Sequence, residues 1–212
     1  MMVSFIPCYT KFDPIEQLLR TIVTMLLAAA LLSSFTVRAE DIQIKLVEID
    51  TTDEGYQFNA DFQIVLNPIL EKALKKGIVL YFVTDFKLLS PRWYWLDKIV
   101  ARNKQRDALS YYALTRQYRL SGGALLQKQS FSTLKEALRI LSRVRNRPII
   151  ATSELKKKTE YIAKLHMRLD LSRLPKPFQV EALGSKEWNI SSDRMQWNIT
   201  LPSQRLILVD EP

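Results

Sequence analysis

From Tyr161 to Leu171 apolar side chains fall on every second residue, Tyr161, Ala163, Leu165, Met167, Leu169 and Leu171, with Lys164, His166, Arg168 and Asp170 between them. A period of two places one set on a single face of an extended strand, whereas a helix would scatter it around the axis. The same alternation occupies Ile42, Ile44 and Leu46, and again Tyr56, Phe58, Ala60, Phe62, Ile64 and Leu66. The turn residues Asp53-Glu54-Gly55 join these two runs into a predicted antiparallel hairpin.

The remaining segments read in the same terms. Asn67-Pro68 supplies an N-cap and a first helical residue, and Gly77 a C′ residue, for a short helix with Ile69, Leu70, Ala73 and Leu74 on one face. A strand apolar on both faces, Ile78 to about Leu88, should lie centrally in a sheet. Ser90-Pro91 turns into a predicted strand Arg92–Leu96 running towards Ala101, and Arg102–Asp107 reads as a loop or exposed strand edge. Strands are expected at Leu109–Ala113 and Gln117–Leu120, with Ser121-Gly122-Gly123 turning the chain so that Ala124–Lys128 pairs back.

Thr133-x-x-Glu136 is a capping box opening the clearest helix. That helix carries Leu134, Ala137, Leu138, Leu141 and Val144 on one stripe and should end before Pro148. Further on come a short strand Ile149–Ala151, an exposed Lys156-Lys157-Lys158 loop, a helix Phe178–Leu183 after Pro175 and Pro177, and a strand with Trp197 and Ile199. The segment 202–212 reads as a loose tail. About eight strands and two or three short helices, with hairpin-like connections, imply a mainly β (α+β) fold, an antiparallel β-sandwich or curved sheet with packed helices.

The N-terminus carries a different signal. Arg20 precedes an apolar run, Ile22 to Leu32, and Val37-Arg38-Ala39 follows as a small-x-small cleavage site, the pattern of a secretory signal peptide. The run is short for a permanent span, which needs about 20 residues, so residues 1–39 are expected to be removed and 40–201 to form one periplasmic domain. An inner-membrane anchor through an uncleaved N-terminus is the alternative. Asp13 and Glu16 make the region before Arg20 unusual, as an over-extended start would. The lone Cys8 lies ahead of the apolar run, so the exported part has no thiol and must be stabilised by its core.

Lys and Arg number 31 against 22 Asp and Glu, a net of +9, and the leader holds three of the former and two of the latter. The excess suits an anionic envelope component or an acidic extracytoplasmic protein domain, and no nucleic acid is expected at that address. No Gly-x-Ser-x-Gly, Walker or His-Glu-x-x-His motif occurs, no carboxylates have calcium-loop spacing, and no cofactor or metal is expected. His166, between Lys164 and Arg168, reads as a residue of a solvated strand face. Asn189-Ile190-Ser191 and Asn198-Ile199-Thr200 match glycosylation acceptors, which matter only in a eukaryotic secretory pathway.

Two groups stand out as candidate contact residues. Lys135, Arg139, Arg143 and Arg147 recur every four residues and would line one flank of the main helix, with Arg116 and Arg119 as extensions. They read as either a solvated face or a docking strip for an anionic partner. Trp93 and Trp95, on one face of the expected strand, are either core or an exposed platform for a sugar, a peptide or a membrane interface. The favoured reading is a non-catalytic periplasmic binding or accessory module. The alternative is a hydrolase using two carboxylates on an envelope glycan near Trp93 and Trp95.

Several segments resemble one family in order and spacing: Asn67-Pro68 with its helix, Gly77-Ile78-Val79-Leu80-Tyr81-Phe82, Arg92-Trp93-Tyr94-Trp95, Leu114-Thr115-Arg116-Gln117-Tyr118-Arg119-Leu120 and Leu174-Pro175-Lys176-Pro177-Phe178-Gln179. The chain from about Glu40 to Leu201 resembles an uncharacterised family of exported Gram-negative bacterial proteins, a domain of unknown function sometimes named proline-rich signal peptide protein. The resemblance implies no activity and no catalytic residues. It implies a gene neighbourhood with a membrane sensor histidine kinase that has an extracytoplasmic segment.

Overall fold

The computed structural model describes residues 42–123, 125–151, 159–201 and 205–209, with the backbone alone at 125–127 and 205–209. The leader with Cys8 and the Lys156-Lys157-Lys158 triplet lie outside the described residues. In chain order the elements are β1 (Ile42–Thr51), β2 (Gly55–Ile64), α1 (Pro68–Lys75), β3 (Leu80–Ser90), β4 (Lys98–Tyr112), β5 (Gln117–Gly122), β6 (Leu125–Phe131) and α2 (Leu134–Leu141). They continue with β7 (Arg143–Ala151), β8 (Thr159–Leu169), a 3-10 turn (Leu171–Arg173), α3 (Lys176–Ala182), β9 (Met195–Leu201) and β10 (Arg205–Val209). Among the described residues no helix is long and apolar enough to cross a membrane.

The strands form two antiparallel sheets, one four-stranded in the order β10-β1-β2-β7 and one six-stranded in the order β6-β5-β4-β3-β8-β9. Their apolar faces meet: Phe58 of β2 stacks on Phe86 of β3 at 4.5 Å, and Phe86 meets Trp197 of β9 edge-on. The core between them draws on the period-two sets read above, Tyr161, Ala163, Leu165, Met167 and Leu169 among them, and this mainly β architecture matches the sequence expectation. β3 lies between β4 and β8, the central place expected of it, with Leu80, Phe82, Phe86 and Leu88 buried on one face and Tyr81, Asp85 and Lys87 half-buried on the other.

The first hairpin pairs as expected, with one irregularity. Lys45 is bulged between the Ile44–Phe62 and Leu46–Asp61 pairs, so the buried set shifts phase from Ile42 and Ile44 to Val47 and Ile49. Helix α1 is capped as its residues require. Asn67 accepts a hydrogen bond from the Leu70 N–H, and Gly77, at φ +88°, closes a Schellman motif in which Ile78 N donates to Ala73 O.

Three local expectations are corrected, and one left between two readings is decided. Arg92–Leu96 is not a strand but the bend joining β3 to β4, since Pro91 lacks a donor and the residues after it pair with nothing. Of the two readings of Arg102–Asp107 the exposed strand edge holds: the segment is the middle of β4, paired with β3 on one side and with β5 only from Asp107 onward. The main helix does not run to Val144. It ends at Leu141, where Ser142 caps it, and Arg143 enters β7 by pairing with Asp61. Pro148 therefore lies within a strand, tolerated because β7 is the outer strand of its sheet. The loose tail also carries β10, which pairs along β1 from Asp50 to Leu46.

Candidate functional site

A groove of about 780 Å³ opens between β2 and α2. Its floor is apolar: Phe62, Ile64 and Leu66 on one side, Leu134 and Leu138 on the other, and Tyr118 of β5 beneath. Helix α2 is amphipathic and buries Ala137 and Leu141 fully. The expected contacts of Leu134 and Leu138 are thus only partial, because both are half-buried and line the groove as well as touching the core. Thr133 fixes the start of α2 by accepting the Glu136 N–H at 3.2 Å.

The rim is basic. Lys135 and Arg139 of α2, Arg143 of β7 and the bulged Lys45 of β1 all line the groove and are exposed. Two carboxylates, Asp61 and Glu71, share the lining, and Asp61 is ion-paired with Arg145. Arg145 also donates to the main-chain oxygens of Ala60 and Val144, which holds its side chain over β2. The rim keeps a net positive charge beside an apolar floor, a combination suited to an amphipathic anionic ligand.

The sequence strip is divided by the fold. Lys135, Arg139 and Arg143 converge on the groove, although Arg143 comes from a strand and not from the helix. Arg147 does not join them. It lines a second, small cavity of about 60 Å³ with Gln105, Asp107, Leu120 and Ile140, which Arg143 borders as well as the groove. Burial lowers the pKa of Arg147, opposed by the nearby charge of Asp107. Burial likewise raises the Asp107 carboxyl, against a hydrogen bond from Gln105 and the charge of Arg147.

Arg116 and Arg119 are not extensions of the strip either. Arg116 is in the β4–β5 turn at φ +53°, and Arg119 stacks over the Tyr112 ring at 3.9 Å. Tyr118 faces the groove, so its neighbour Arg119 points to the opposite side of β5. Lys45 belongs to the rim but escaped the sequence reading. Its signal was the phase slip at Leu46-Val47, where two apolar residues adjoin and so mark a bulge.

Trp93 and Trp95 are exposed, at 94% and 72%, and with Tyr94 and Leu96 form the tip of the β3–β4 connection. They therefore do not belong to the core, and Trp93 packs edge-on against Tyr94 at 5.1 Å. Neither tryptophan lines either cavity described above. The buried tryptophan is Trp188, which lies against Phe178 of α3.

His166 is half-buried on β8, with Nδ1 3.4 Å from Ser192 Oγ. Burial is the main cause pushing its pKa below the ordinary value, and Arg194 and Arg168 add to it against hydrogen bonds with the Asp193 and Ser192 main chain. Among the described residues no group of three or more His, Cys, Asp or Glu side chains is placed to hold a metal ion.

No curated protein and no solved structure matches the chain. One family model does, the Domain of unknown function DUF4390, over residues 39–198, which covers β1 to the first part of β9 with the groove and the aromatic tip. That match spans most of the chain, so the protein belongs to the DUF4390 family.

Proposed function

We propose that this protein is an exported, non-catalytic binding module of the bacterial envelope, and that its β2–α2 groove docks an acidic segment of an extracytoplasmic protein, such as the sensor domain of a membrane kinase. The observation that carries the reading is the convergence of Lys45, Lys135, Arg139 and Arg143 around an apolar floor. An apolar floor supplies affinity through area removed from water, and a charged rim supplies orientation and encounter rate. The leader, Arg20 to Ala39, supports a periplasmic address.

A photo-crosslinking residue at Val65, half-exposed on the groove wall, tests it in cells. The expected result is a defined adduct with an extracytoplasmic protein, lost when Arg139 and Arg143 are both changed to Glu in a chain that keeps its fold. An adduct of equal yield in that double variant overturns the reading.

A further inference from the structure

The groove is lined by six consecutive residues, Asp61 to Leu66. A cavity on one face of a strand touches alternate residues, so an unbroken run means that the groove follows the strand's edge. The pairing register says why that edge is open. β7 accompanies β2 only as far as the Asp61–Arg143 pair, and one further bond, from Phe62 N to Ser142 O at 2.9 Å, closes the contact. Ser142 is the C-cap of α2 and precedes β7, so beyond that residue β2 faces the helix α2 and no longer a strand. β2 continues to Ile64, paired on its other side with Ile42.

Main-chain groups of a strand alternate between its two neighbours. Since Phe62 N points to the β7 side, the N–H and C=O of Ile64 point the same way, into the groove. The side-chain rows at this edge are buried Phe62, Ile64 and Leu66 beneath and exposed Gln63 and Val65 above. Opposite them α2 offers half-buried Leu134 and Leu138 at the level of the floor and Lys135 and Arg139 at the level of the rim. A strand edge facing a helix across an apolar slot is the geometry in which an extended segment adds as one more strand, with affinity from main-chain bonds and selectivity from alternate side chains.

We infer that the slot takes an extended acidic peptide segment, which adds to the free edge of β2 in the place β7 vacates. Its apolar side chains enter the floor, and its carboxylates meet Lys135, Arg139 and Arg143. This rests on the reading of the groove as a docking site for an acidic protein and adds the conformation and the main-chain recognition of what docks.

Two fluorescent peptides of about twelve alternating Glu and Val residues serve as probes for the full chain. One is unmodified. The other is N-methylated through its central residues, which keeps its charge and side chains and removes its main-chain donors. The expected result at low salt is binding of the first and at least a tenfold loss for the second, with a similar loss for the first peptide on R139E/R143E. The single variant R139E, on the exposed helix face, gives the same direction of change if the double variant folds poorly. Equal affinity for the two peptides overturns strand addition and leaves the basic groove as a docking site. Absent binding of the unmodified peptide also overturns strand addition, and the Val65 adduct then reports on the docking reading separately. Unchanged affinity in folded R139E/R143E overturns both.

Discussion

Arg145 of β7 reaches across to Asp61 of β2, pairing with its carboxylate while its other terminal nitrogen donates to Ala60 O at 3.0 Å. Asp61 sits at the last position where β7 still accompanies β2, opposite Arg143, and lines the groove. By engaging Asp61, Arg145 keeps a negative charge from opposing the basic rim. The variant Arg145→Ala should leave that carboxylate unpaired beside Arg143 and weaken binding of an acidic peptide severalfold, read by fluorescence anisotropy. Stability should change by no more than about 1 kcal/mol, because both groups are substantially exposed.

Salt should act on the groove as on any set of exposed charges. Lys45, Lys135, Arg139 and Arg143 are all exposed, and such charges are screened beyond about 8–10 Å near physiological ionic strength. Association of an acidic partner should therefore weaken steadily as salt rises, through a slower on-rate more than a faster off-rate. Stopped-flow measurements at several salt concentrations check it. A salt-independent rate would mean that the rim is not in contact.

Leu141 and Leu138 lie one turn apart on α2 and should behave differently. Leu141 is buried in the core, so Leu141→Ala should cost about 2–4 kcal/mol through lost transfer energy and a cavity. Leu138 is half-buried at the groove, so Leu138→Ala should cost less in stability and should lower peptide affinity. Paired denaturation and binding curves check both. Equal losses of stability would mean that the whole stripe is core.

The tryptophans should also separate. Trp93→Ala with Trp95→Ala should move stability within about 0.5 kcal/mol, as exposed substitutions do, whereas Trp188→Ala should cost about 3–5 kcal/mol. Urea unfolding followed by circular dichroism reads this without relying on tryptophan emission.

Asp107 makes a pH prediction whose sign follows from burial. Its folded pKa is raised above its ordinary value of 3.8, so the neutral carboxyl is the form favoured by folding. Stability from this group is fully present below that ordinary value and is lost as pH rises through the raised folded value. The difference in unfolding free energy between the parent and Asp107→Asn should thus turn against the parent as pH rises from about 3.8. Asp85 runs the other way: burial would raise it, but hydrogen bonds from Arg102 and the charges of Arg102 and Lys87 outweigh that and hold it low. Its stabilisation is present above 3.8 and lost below, so taking the difference between the two proteins cancels it.

Period-two alternation was enough to establish the strands β1, β2 and β8, and their buried faces in β2, β8 and β1 up to its bulge at Lys45, because a strand's side-chain direction is a local property of backbone geometry. Capping was equally local: Asn67, Gly77 and Thr133 mark helix ends by satisfying main-chain groups within a few residues. The register between strands was not local. Arg143 and Arg147 keep a helical spacing from Lys135, yet pairing with β2 draws both into β7, and only tertiary contact chooses between further turns of helix and a sheet partner. The groove depends on where β7 stops pairing with β2, and the exposure of Trp93 and Trp95 on which residues the β3–β4 register leaves over. Both are set by contacts between segments far apart in the chain, whose energies no short window of residues contains.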